Sequence, residues 1–96
     1  MATFIIRVQL TVENQDNYTI LTNHLIKAGA TKRIKATSGH SYMLPNGNYL
    51  VESEKDSFSL LGSVARKLKK IGDPKAMILV TEAAKDGIAW MNLPRA

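Results

Sequence analysis

Between positions 3 and 12 apolar residues occupy every second place. Phe4, Ile6, Val8, Leu10 and Val12 share one face, while Thr3, Ile5, Arg7, Gln9 and Thr11 take the other. Successive side chains of an extended backbone point to opposite sides, so this period of two predicts a strand with one face on a core. The period then lengthens. Tyr18, Leu21, Leu25 and Ala28 recur at helical spacing behind the cap candidates Asn14 and Asp16, and Gly29 stands where a helix would end. Residues 31–37 read as a second strand with its Lys and Arg exposed. Ser38-Gly39 supplies a turn, and residues 41–44 form the returning arm of a hairpin.

Pro45-Asn46-Gly47-Asn48 interrupts with strong turn chemistry before residues 49–52 extend again. Ser53 and Asp56 offer caps for a second helix, whose apolar side is read as Phe58, Leu61, Ala65, Leu68 and Ile71. Gly72-Asp73-Pro74 stops it, since proline cannot continue a helix. Residues 75–82 form a strand whose unbroken run Ala76-Met-Ile-Leu-Val80 predicts burial on both faces. Residues 88–91 would add a short C-terminal strand. The order βαββαβ is that of the α+β, ferredoxin-like split β-α-β fold, with two helices covering one face of an antiparallel sheet. The 96 residues suffice for a single such domain, 1–96.

Charge comes next. No acidic residue lies between Asp16 and Glu52, a stretch that holds Lys27, Lys32, Arg33, Lys35, both histidines, Tyr42 and Tyr49. A second basic cluster, Arg66-Lys67-Leu68-Lys69-Lys70, lies on the second helix, and the chain carries a net charge of +5. Positive charge gathered in blocks points to a polyanion partner, because cations released from a phosphate backbone favour binding. The plainer alternative for the second cluster is a solvated helix face with charge favourable at a helix C-terminus.

The absence of cysteine excludes disulfides and thiolate chemistry and fits a reducing compartment. The N-terminal apolar stretch is interrupted by Arg7 and lacks a basic leader, so no signal peptide is expected. No run approaches the ~20 apolar residues of a membrane span, so the expected setting is the cytoplasm without membrane insertion.

The opening run Met1-Ala-Thr-Phe-Ile-Ile-Arg-Val-Gln-Leu10, the segment Tyr42-Met-Leu-Pro-Asn-Gly-Asn-Tyr49, the run Ile78-Leu-Val-Thr-Glu82 and the ending Trp90-Met-Asn-Leu-Pro94 together resemble a small bacterial family. That family is grouped with the GhoS-type antitoxin endoribonucleases, and the resemblance runs nearly end to end. It implies a ferredoxin-like domain similar to the small CRISPR adaptation nucleases. For the antitoxin itself it implies cleavage of a toxin messenger RNA.

Residue chemistry narrows the reaction. A metal-dependent nuclease needs carboxylates converging on a hard cation; only Glu13 stands near the end of the first strand, so no metal and no cofactor are expected. Metal-independent RNA cleavage needs a base, an acid and a cation for the phosphorane charge. His40 in the hairpin turn and Arg7 on the open sheet face are the candidates, with His40 as an ordinary polar turn residue as the alternative. Arg33, Lys35 and Tyr42 beside them, or Arg66, Lys67, Lys69 and Lys70 on the helix, would hold RNA, with bases stacking on Tyr42 or Tyr49. His24 reads as a boundary residue and Trp90 as a packing residue. Two functions remain open: an RNA-binding protein with metal-independent endoribonuclease activity, and a non-catalytic, dimeric interaction module paired through edge strands or sheet faces.

Overall fold

Alternating and helical periods convert into seven elements in the computed structural model, which describes all 96 residues. They are β1 (Ala2–Gln9), α1 (Gln15–Lys27), β2 (Arg33–Lys35), β3 (Ser41–Met43), β4 (Asn48–Ser53), α2 (Ser57–Lys70) and β5 (Met77–Ala83). The main sheet has the order β4-β1-β5, with β1 antiparallel to both neighbours. Thr31 continues it by pairing antiparallel with Leu50 on the outer side of β4. β1 and Thr31 therefore flank β4, while β4 and β5 flank β1. Two β-α-β units interleave in this way, and the fold is α+β and ferredoxin-like.

Both helices begin and end where side chains can satisfy their free backbone groups. Asn14 accepts from the Asn17 N–H at 2.8 Å and Asp56 from the Ser59 N–H at 2.7 Å. At the other ends, the N–H of Ala30 reaches the Leu25 carbonyl (3.0 Å) and that of Asp73 the Leu68 carbonyl (2.8 Å), each just past a glycine. The helices lie on one face of the sheet. Ile6 and Val8 of β1 and Tyr49 of β4 meet Tyr18, Leu21 and Leu25 of α1 and Val64 and Leu68 of α2 in the core, and Phe4 and Leu60 are buried as well. Each fully buried leucine there contributes about 1.5–3 kcal/mol.

Polar groups at the core margin are paired. The Tyr18 hydroxyl donates to Glu13 at 2.6 Å and accepts from the Leu10 N–H at 3.4 Å, and Tyr49 shares a 2.8 Å hydrogen bond with Thr22. Burial pushes both phenols above their ordinary value of 10.0, and donation to Glu13 raises Tyr18 further.

Several expectations are corrected. β1 stops at Gln9, because Thr11 turns away to give its N–H and hydroxyl to Asp73, both at 2.9 Å; Val12 is left exposed. The second strand does not run unbroken over residues 31–37. The Thr31 hydroxyl accepts the Arg33 N–H at 3.1 Å and bends the chain out of the main sheet, so β2 pairs only with β3. The α2 stripe is Leu60, Val64 and Leu68; Phe58 is 82% exposed and Ala65 is exposed too. β5 is an edge strand with only one face on the helices: Met77 and Leu79 stand on the open face opposite Gln9 and Arg7 and are exposed, while Ile78 and Val80 face the helices half-buried. Residues 88–91 form no strand, and the terminal extended pairing falls instead at Arg95, opposite Tyr42.

Candidate nucleic-acid interface

The β2–β3 hairpin owes its position to the chain on either side of it. On its inner edge, the Leu44 N–H donates to the Lys32 carbonyl at 2.8 Å. On its outer edge, the Met43 N–H donates to the Pro94 carbonyl (2.8 Å) and the Ala96 N–H to the Ser41 carbonyl (3.0 Å). The segment after β5 thus crosses from the sheet to the hairpin and is held along β3 by these bonds, with one antiparallel bridge between Arg95 and Tyr42. Between the hairpin, this segment and the open sheet face is a cleft of about 970 Å³, where Ile34, Leu50, Ile88 and Trp90 supply apolar wall and the cations Lys35 and Lys85 are balanced by the carboxylates of Glu82 and Asp86.

Pairing within the hairpin sorts its side chains. Arg33 faces Met43 and Lys35 faces Ser41, whereas Ile34 faces Tyr42. Cross-strand partners share a face, so Tyr42 stands on the side of buried Ile34 and away from exposed Arg33 and Lys35. Tyr42 lies against Trp90, with ring centroids 5.9 Å apart and planes tilted by 54°. Trp90 is a packing residue, as expected. Tyr42 is half-buried and engaged, which leaves part of its ring for a ligand.

His40 closes the turn between β2 and β3. Its carbonyl accepts from Ala36 at 2.8 Å, and its ring meets the Arg95 guanidinium at Nδ1. A guanidinium only donates, so Nδ1 must be the bare nitrogen and Nε2 carries the proton. In this arrangement the pair presents a fixed cation beside an imidazole N–H, two donors suited to phosphate oxygens. Both residues are exposed.

Arg7 does not join this group. It lies opposite Asn48 and Leu79, whereas the hairpin turn residues Ala36 and Thr37 line the cleft with Met1, Ala2 and Thr3, about 13 Å back along β1. The common patch of Arg7, Arg33, Lys35 and His40 expected on one sheet face is split, because the bend at Thr31 carries β2 out of the main sheet. Tyr49 is not a stacking platform either. It is fully buried, with the Lys32 ammonium 5.8 Å from its ring centroid. Desolvation lowers the Lys32 pKa, and the ammonium lies 3.5 Å from the Pro45 carbonyl and 3.4 Å from Asn46 Oδ1, which ties down the turn before β4.

The α2 cluster stands on the helix layer, on the other side of the sheet from the hairpin. Arg66, Lys69 and Lys70 are exposed, Lys67 is half-buried, and Arg66 donates to the Ser63 hydroxyl at 3.2 Å. Lys67, Lys69 and Lys70 occupy the last turn, where the helix dipole favours cations. The two basic clusters are therefore separate surfaces. His24 is half-buried at the margin of α1.

No three His, Asp or Glu side chains converge, and Glu13 is engaged by Tyr18. No helix is long and apolar enough to cross a membrane. Sequence reasoning missed Arg95, a lone cation that no motif or periodicity marks. No family model matches the chain, and no curated protein matches it.

Proposed function

We propose that this chain binds single-stranded RNA through the hairpin and the C-terminal segment and cleaves it without a metal ion. The observation that carries the reading is the contact of Arg95 with His40 on the hairpin face that holds the Tyr42–Trp90 pair, with the cations Arg33 and Lys35 exposed on the other face of the same hairpin. Cations next to accessible aromatic edges suit unpaired nucleotides, whose phosphates and bases can be engaged together. The resemblance to GhoS-type antitoxin endoribonucleases favours messenger RNA as the substrate, a toxin message in the case of an antitoxin, and the cytoplasm as the setting.

The chemistry follows from the free valences of the pair. A substrate phosphate competes for the Arg95 guanidinium and draws it away from His40, leaving Nδ1 bare. Nδ1 then takes the proton of a ribose 2′-hydroxyl, whose oxygen attacks the adjacent phosphorus. The bond to the 5′-oxygen breaks, that oxygen takes a proton from water, and the products are a 2′,3′-cyclic phosphate and a 5′-hydroxyl end. Arg95 stabilises the added charge on the phosphorane oxygens.

Incubation of end-labelled single-stranded RNA with the purified protein in EDTA tests this. Cleavage to cyclic-phosphate ends, lost in His40→Ala, is the expected result. RNA left intact by the wild type removes catalysis and leaves a binding module.

A further inference from the structure

The hairpin has two faces, and the inner one borders the cleft. Within the ladder Ile34 stands opposite Tyr42, and the bond from the Ala36 N–H to the His40 carbonyl (2.8 Å) sets Ala36 opposite His40 further along. On the other side of β3, Arg95 bridges to Tyr42. Side chains two residues apart on extended chain, and those directly opposite across a ladder, share a face. Ile34, Ala36, His40, Tyr42 and Arg95 therefore belong to one face. Ile34 and Ala36 line the cleft together with Trp90, so the Arg95–His40 pair stands on the face turned to it.

The two parts of this surface differ in charge. Arg95 and His40 offer a cation and an imidazole N–H, whereas the cleft sets Lys35 and Lys85 against Glu82 and Asp86 and carries no net charge. A phosphate gains nothing by entering the cleft. A neutral aromatic ring does gain, by leaving water for Ile34, Leu50, Ile88 and the half-buried Trp90. At about 970 Å³ the cleft lies at the upper end of the range of small-molecule sites, so a two-ring base enters without crowding.

We propose that the cleft is a nucleobase subsite, which takes one unstacked purine of the strand whose phosphate is held by Arg95 and His40. The base stacks on Trp90 and turns its polar edge to the charged rim. Purines are favoured over pyrimidines because stacking strengthens with ring area. The phosphate half of this arrangement rests on the RNA reading above; a nucleoside, which has no phosphate, tests the cleft by itself.

Trp90, the single tryptophan, is the reporter. Adenosine should quench its emission at about 1 mM, and to the same extent at about 50 and about 300 mM salt, because no counterion is released. Uridine should quench less, and ribose 5-phosphate should not quench. Thr3 lies on the open sheet face with Leu50, the partner of Ile5, and lines the cleft. Thr3→Phe, a change that strands accept, should abolish quenching by adenosine and weaken oligoribonucleotide binding about tenfold, with an unchanged circular dichroism spectrum. Ala83→Phe, at the position opposite Thr3, should do the same. A wild type whose Trp90 ignores adenosine, as in a cleft built for an apolar side chain of another protein, overturns the proposal. So does uridine that quenches as strongly as adenosine, or RNA affinity that survives both substitutions. Quenching by adenosine in a protein that binds no RNA would support the base subsite and remove the RNA reading instead.

Discussion

The Arg95 guanidinium meets Nδ1 of His40 across 55 positions of sequence, and this contact joins the C-terminal segment to the turn of the hairpin. Because both side chains are exposed, the pair adds little to stability, about 0–1 kcal/mol. Its consequence is positional, since it fixes one cation and one imidazole on the same small surface.

Replacing Arg95 by alanine should therefore leave the melting temperature within a few degrees of wild type while weakening RNA binding by about tenfold, the loss of one charge-assisted contact. Fluorescence anisotropy with a labelled oligoribonucleotide checks the affinity, and thermal melting checks the fold. Arg7→Ala should alter neither by a comparable amount.

Trp90 is the single tryptophan of the chain and packs against Tyr42. RNA bound at the hairpin should change its emission, and should still do so when Lys69 and Lys70 are replaced by alanine. Emission that responds to RNA only while the α2 lysines are present would move the interface to the helix layer.

Gly47 is buried at φ +80°, and a Cβ placed there would lie 2.2 Å from the Val8 carbonyl oxygen. The Val8 N–H also donates to the Gly47 carbonyl at 2.7 Å, so the backbone cannot move aside without breaking the sheet. Gly47→Ala should cost about 2–4 kcal/mol, or at least about 10 °C in melting temperature. Calorimetry measures this directly.

Stability should fall at both pH extremes for different reasons. Hydrogen bonds from Ser59 hold the Asp56 pKa below its ordinary value of 3.8. The unfolded state therefore binds the proton first, and the contribution of Asp56 is present above about pH 4 and lost as pH falls through the depressed folded value. The melting difference between wild type and Asp56→Ala should shrink over that range. Tyr18 and Tyr49 have raised values, so their contribution is present below pH 10 and lost as pH rises through the folded values. Phenolate absorbance and loss of ellipticity should then rise together in alkaline titration.

Local signals carried much of the fold. The alternation of β1, the caps Asn14 and Asp56 and the glycines ending both helices are short-range features, and each stands where its chemistry requires. The misreadings have physical causes of longer range. The two candidate stripes on α2 share Leu68, and only the position of the sheet decides that Leu60 and Val64, not Phe58 and Ala65, face inward. The apolar run of β5 looks the same in a central strand and an edge strand; topology alone distinguishes them. At the candidate site, the exposure of Arg33 and Lys35 was legible from alternation within residues 31–37. The bend at Thr31 and the arrival of Arg95 at His40 depend on a hydroxyl and a distant segment that no local pattern encodes.

The salt dependence of single-stranded RNA affinity tests the central claim most directly, comparing wild type with a variant in which Arg33, Lys35 and Arg95 are all alanine. Binding through hairpin phosphate contacts predicts that log affinity falls steeply with log salt for the wild type. The slope should shrink by about 2 in the variant, at roughly 0.7 per lost contact on single strands. A flat response in the wild type, or the same slope in both proteins, would contradict it.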